Sequence, residues 1–304
     1  AAKISNNEDF TINSVTVGKG ANSVTRNTVL GESALDAAVT GGDNTAIGAL
    51  TLTLNTSGAY NTAVGSAALD ANTTGGTNVA IGQGSLSSNT TASNNTAVGS
   101  GSMNQNTTGP NNTAVGYNAL TANTDGSYNT ALGDRACYTQ TSAGYNTGVG
   151  HAALYANTTG GSNVATGALA LDANTTGGNN TAVGVSTLGA NTTASDNTGV
   201  GRSALAANTT GTRNTAVGSY ALDANTTASD NDAFGSYALS DNTTGTRNVG
   251  LGRSALQSNT TANDNTAVGH EALKVNTTGD LNTAVGSYAM QNSVNNDRNV
   301  AIGY

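Results

Sequence analysis

Small and large apolar residues alternate in short pieces along most of the chain, set between polar corners, and the arrangement returns every 17 residues. Residues 61–77 are typical: Thr62-Ala63-Val64 ends at Gly65, Ala68-Leu69 follows, and Asn72-Thr73-Thr74-Gly75 makes the next corner. An Asn recurs from Asn27 to Asn299 in unbroken steps of 17, and each has a Gly four residues later, from Gly31 to Gly303. The consensus is N-T-A-V-G-x-x-A-L-x-x-N-T-T-G-x-x. Side chains on a strand alternate faces, so each apolar piece should turn a large residue to one side and a small one to the other. Gly supplies the backbone freedom for one corner, and Asn, Thr and Gly supply the other. A helix fits poorly, because Gly and Asn recur too often and no 3.6-residue stripe survives the 17-residue step.

This pattern predicts an all-β chain, a parallel β-solenoid with one 17-residue coil per repeat and two short strands per coil. Equivalent residues would stack at about 4.8 Å per coil, giving a rod of roughly 75–80 Å from Asn27 to Asn299. Residues 1–26 form a lead-in with one shorter coil, and residues 27–304 form an array of sixteen repeats plus a partial coil. The large residues Val64, Leu69, Val98, Val115, Leu120, Val217 and Leu222 are expected in the core. Each coil would then own only about two large aliphatic side chains, little against the entropy of ordering 17 residues. The small residues Ala63, Ala80, Ala97 and Ala114 are therefore assigned to close packing against neighbouring chains, which makes an oligomer the favoured state.

Composition narrows the function. Net charge is −8 with 9 % charged residues, and no basic stripe offers a path for nucleic acid. No apolar run is long enough to insert in a membrane. The single cysteine, Cys137, stands in the Leu row and reads as a small core hydrophobe. His151 and His270 are seven coils apart and cannot share a metal within one chain. No G-K-[ST] follows any glycine, and the calcium-binding nonapeptide is absent. The expectation is a protein that is not an enzyme and that takes no cofactor and no metal.

The segments "NTAVGSAAL", "NVAIGQGSL" and "NTAVGYNAL" resemble the head repeats of trimeric autotransporter adhesins. The longer form with "ALxANTTG" resembles repeats of bacteriophage tail fibres, cyanophage fibres in particular. The resemblance covers residues 27–304. It implies a left-handed β-roll, intertwined or side by side in a homotrimer, located in a virion tail fibre or at an extracellular surface. "VTVGKGANSV", Val15 to Val24, resembles one shorter adhesin-like coil.

Several residues exceed the basic repeat. Asp196, Arg213, Asp230, Arg247 and Asp264 share the last position of successive coils and predict a charge ladder with each internal Asp between two Arg. Tyr220, Tyr237 and Tyr288 share another position, either as stacked rings or as an aromatic strip for a host-surface glycan or receptor. Asp70, Asp172 and Asp223 read as solvated surface carboxylates. Asn72, Asn89 and Asn106, although within "NTT" sequons, read as an amide ladder.

The expected function is a structural one, the stiff shaft of a trimeric fibre that supports host attachment. An adhesin-head binding module is one rival, and a filament subunit that stacks end to end is another. An ice-binding role is disfavoured, because adjacent Thr73 and Thr74 point to opposite sides of any strand.

Overall fold

The structure, a computed structural model, describes residues 9–304. It is all-β, a parallel β-solenoid of about sixteen turns of about 17 residues. Two compact units divide the chain, Ala1–Asn146 and Thr147–Tyr304.

In the first unit, strands β1 (Phe10–Ile12) and β2 (Val15–Gly18) form an antiparallel hairpin, and β2 lies antiparallel to β3 (Thr28–Gly31). Within the segment expected to form one shorter coil, Val15–Val24, the first four residues thus belong to a hairpin with β1. Asn13 and Ser14 explain it: both adopt positive φ, 47° and 67°, as a two-residue turn that matches strand twist requires. The Asp9 carboxylate pins the chain just after β2, accepting the backbone N–H of Lys19 at 2.6 Å and of Gly20 at 2.7 Å. The part of the lead-in at residues 1–8 lies outside the described residues.

From β3 onward the strands run parallel, through β4 (Thr45–Ile47), β5 (Thr62–Val64), β6 (Val79–Ile81), β7 (Thr96–Val98), β8 (Thr113–Val115) and β9 (Thr130–Leu132). Each residue pairs with its equivalent 17 positions on, as Thr45 does with Thr62. The second unit repeats the arrangement from β10 (Thr147–Val149) through β11 (Val164–Thr166), β12 (Thr181–Val183), β13 (Thr198–Val200) and β14 (Thr215–Val217) to β15 (Asp232–Phe234). Strands β16 (Val249–Leu251), β17 (Thr266–Val268), β18 (Thr283–Val285) and β19 (Val300–Ile302) complete it.

Each coil has one strand, not the expected two. The second apolar piece is a run of turns in which Ala67 and Leu69 take positive φ, 55° and 52°, on either side of Ala68. That alternation is incompatible with a pleated strand. The piece is nevertheless hydrogen-bonded between coils: Ala67 N donates to Ala49 O at 2.9 Å, and Leu69 N donates to Ser85 O at 3.0 Å.

The assignment of faces on the strand is reversed. Ala63, Ala80, Ala97 and Ala114 have no exposed surface and point into the coil, so they are not the interchain contacts expected of them. Val64, Val98, Val115 and Val217 point outward and are half-buried. Leu69, Leu120 and Leu222 are fully buried, as expected. The reason is the thinness of the coil. At Gly250, in the Ala row, an added β-carbon would already lie 3.4 Å from Leu239 Cδ1 and 3.2 Å from the Ala255 carbonyl. The Leu row fills the interior from the opposite wall and leaves room beneath the strand for a methyl group only.

Candidate functional site

Most of the buried polar side chains belong to two asparagine columns, with Thr51, Ser85, Ser102 and Thr187 adding buried hydroxyls at a third position. In the first column, from Asn44 onward within each unit, the Asn backbone N–H donates to the side-chain oxygen of the Asn one coil earlier, as Asn78 does to Asn61 at 3.0 Å. The Asn78 Nδ2 group also reaches Ala92 O at 2.9 Å. The second column is the expected amide ladder. Asn72 donates to Asn55 at 2.8 Å, Asn89 to Asn72 at 2.8 Å, and Asn106 to Asn89 at 3.0 Å. All three are fully buried, which closes their sequons to glycan attachment in the folded chain. Sequence reasoning assigned no role to the first column, although its unbroken spacing was the signal.

The second ladder is interrupted at Gln140. This longer amide donates to Ala143 O at 3.2 Å and accepts from Asn146 Nδ2 at 3.0 Å. Asn123 Oδ1, which elsewhere in the ladder would accept from the next coil, is buried without a partner. Gln140→Asn should supply the missing donor and raise stability by about 1 kcal/mol, the worth of one satisfied buried acceptor. Thermal unfolding of the two proteins checks it.

The charged column resolves into separate pairs. Arg213 grips Asp230 through Nε at 2.7 Å and a terminal nitrogen at 3.0 Å, and Arg247 grips Asp264 at 2.7 and 2.9 Å. Asp196 accepts instead from Asn179 Nδ2 at 3.2 Å. Each Arg therefore hydrogen-bonds only the Asp one coil later, while Asp230, between two arginines as expected, also feels the charge of Arg247, and Arg213 that of Asp196. A slanted bidentate fork commits both carboxylate oxygens to one guanidinium. Hydrogen bonding to Arg213 and Arg247 holds the carboxyls of Asp230 and Asp264 below the usual range. In the first unit, Arg26 and Asp43 form the same fork at 2.7 and 2.8 Å, a pair the sequence reading missed although both residues occupy that position.

Asp70, Asp172 and Asp223 are half-buried rather than freely solvated, and burial pushes all three carboxyls up. Asp70 Oδ1 has no hydrogen-bond partner. A raised native pKa stabilises the fold fully below the unfolded carboxyl value of about 3.9, and that contribution is lost as pH rises through the native value. Asp70→Asn, the amide already used at Asn104 in this row, should therefore raise the melting temperature at pH 7. The gain should be small, below about 1 kcal/mol after solvent screening, and should vanish near pH 3. Melting curves of both proteins from pH 3 to 8 test the sign.

Tyr220 and Tyr237 stack with ring centroids 5.3 Å apart and planes 9° from parallel, and the Arg202 guanidinium lies 5.6 Å from the Tyr220 centroid. Tyr288 does not join them; it meets His270 edge-on at 5.1 Å and Tyr304 at 5.6 Å. Tyr128 and Tyr145 form a further stack at 5.1 Å that the sequence reading did not single out. Cys137 is fully buried, its thiol pushed up to about 12 by desolvation. A thiol at that value is protonated and unreactive at neutral pH. No group of three His, Cys, Asp or Glu side chains that could hold a metal occurs among the described residues. No helix among them is long and apolar enough to cross a membrane.

The outer face of the strands is a further repeated surface. Strands β4 to β18 each turn their first and third residues outward on either side of a buried Ala or Gly, giving a Thr-rich row and an aliphatic row. Leu30, Ile81 and Leu132 are 45 %, 40 % and 46 % exposed, so in the first unit the aliphatic row is a strip of half-covered hydrocarbon. The chain matches no protein-family model and no curated protein.

Proposed function

We propose that the chain is a structural shaft, a stiff spacer in a phage tail fibre or a similar extracellular appendage, without catalysis or cofactor. The observation that carries this reading is the constant 17-residue register of the parallel strands. From β3 to β9 and from β10 to β19, backbone bonds join successive coils in one register, and the buried Asn side chains add a second set of bonds along the same direction. Bending such a unit stretches the bonds on its outer side and compresses those on its inner side in every coil at once. Stiffness is thus spread over every coil and concentrated in none, which suits a spacer.

The shaft is a homotrimer in this proposal, with chains side by side. Because the Ala rows are consumed inside each coil, the contact falls to the outward aliphatic row of the first unit, Leu30, Ile47, Val64, Ile81, Val98, Val115 and Leu132. Native mass spectrometry of the whole chain tests it. A discrete species at three times the 29.7 kDa chain mass, reduced to monomer by Ile81→Lys, supports the shaft. A stable monomer that binds host cells or their glycans favours the adhesin-head reading instead. Open-ended particles favour a filament.

A further inference from the structure

We propose that the outer strand face of the second unit, from β10 to β14, binds the surface of ice. This goes beyond the shaft reading and concerns a different unit from the trimer contact. Five successive coils, from Thr147–Val149 to Thr215–Val217, each present one Thr and one Val to solvent, with the order exchanged only at Val164 and Thr166. Asp232 and Phe234 end the run. The opposed side chains that disfavour ice binding at Thr73 and Thr74 belong to the corner. The strand face has no such conflict, because residues one and three of a strand share a face.

The hydroxyls of this face are free for a ligand. The corner threonines use theirs in the scaffold: Thr158 donates to Thr175 O at 3.0 Å, Thr175 to Thr192 O at 3.0 Å, and Thr209 to Thr226 O at 3.0 Å. The strand hydroxyls of Thr147, Thr166, Thr181, Thr198 and Thr215 make no such bond among the described residues. None of the ten side chains is charged, so none imposes its own hydration shell on adjacent water. Their methyl groups favour caged, ordered water, and their hydroxyls can anchor it.

The spacing fits a particular lattice. Hydrogen-bonded oxygens about 2.75 Å apart in a tetrahedral network place next-nearest oxygens about 4.5 Å apart and repeat along the hexagonal axis at about 7.4 Å. Strands in register repeat at about 4.8 Å, and residues one and three of a strand lie about 6.7 Å apart. Both match within about a tenth. Across the four steps from β10 to β14 the accumulated drift is about 1 Å, well inside one lattice period. The pairing Thr147↔Val164, Val164↔Thr181, Thr181↔Thr198 and Thr198↔Thr215 holds the rows aligned without a slip.

The test is nanolitre osmometry and crystal-shape microscopy on the whole chain, with two variants matched for circular dichroism. Thr198→Lys puts a long cation in the middle of the face. Thr227→Lys puts the same cation on the exposed corner threonine of the same unit. The wild type should open a gap between melting and freezing points and give faceted crystals. Thr198→Lys should lose most of the gap, and Thr227→Lys should keep it. A wild type that freezes like a non-binding protein at equal concentration overturns the proposal, whatever its oligomeric mass. So does a gap that Thr198→Lys leaves intact, or that both variants reduce alike.

Discussion

Gly65→Ala is expected to lower the stability of the first unit by about 3–5 kcal/mol, the sum of a backbone penalty and an overlap. Gly65 has φ 131°, a conformation that side chains with a β-carbon rarely adopt. A β-carbon there would also lie 2.7 Å from both the carbonyl carbon and the oxygen of Gly82 in the next coil. Those are backbone atoms, and no rotamer change can move them aside. Relief requires the coils to separate, yet Gly65 N donates to Ile47 O and Gly82 N to Val64 O, both at 2.8 Å. Urea unfolding should show the lowered midpoint. Solenoid stability is a sum of local terms, so hydrogen exchange should be faster first in the coils around residue 65. A substitution within a few tenths of a kcal/mol of wild type would mean that the coils are more loosely stacked than their hydrogen bonds indicate.

Asn89→Ala should cost about 3 kcal/mol, combining an orphaned buried acceptor with a small cavity. Asn72 Oδ1 would lose its donor at 2.8 Å, and Asn106 Nδ2 would lose one of its two acceptors while keeping Gly109 O at 3.1 Å. The outward Val98→Ala exchange removes more hydrocarbon but is half-exposed, and should cost under about 1 kcal/mol. Chemical denaturation of both variants decides the order. A larger loss at Val98 would show that the buried amides contribute less than the surface row.

The period, the parallel stacking and the Asn72 ladder were legible because each is a statement about spacing. A 17-residue step without insertion leaves equivalent residues no place except above one another. Which face of the strand turns inward was not legible from alternation, which separates Ala63 from Val64 without saying which is inside. Another signal in the chain did say. The third strand residue varies freely, with Val149, Thr166, Val183, Phe234 and Leu251 at equivalent positions, whereas the second is Ala or Gly in every strand from Ala46 onward. Tolerance of Phe and Thr at one row marks the solvent side, and restriction to a methyl or a hydrogen marks the narrow interior. The missing second strand had a different cause. Leu69 at positive φ carries no mark in the sequence, since Leu is a good residue for many backbones, and tertiary packing selects this one. The charge pairs were half legible: the column was visible, but the fork geometry that ties each Arg to a single Asp is a property of side-chain reach.

Because the parallel strands from β3 onward pair in the same register within each unit, one coil can be exchanged for another at little structural expense. Deleting or duplicating a 17-residue segment inside a unit brings together surfaces that already match, with Asn below Asn, Gly below Gly and Leu below Leu. Length in this architecture is therefore a heritable quantity that changes in whole coils, through the recombination of near-identical stretches of gene. A descendant with three coils more or fewer would need no compensating mutation to fold.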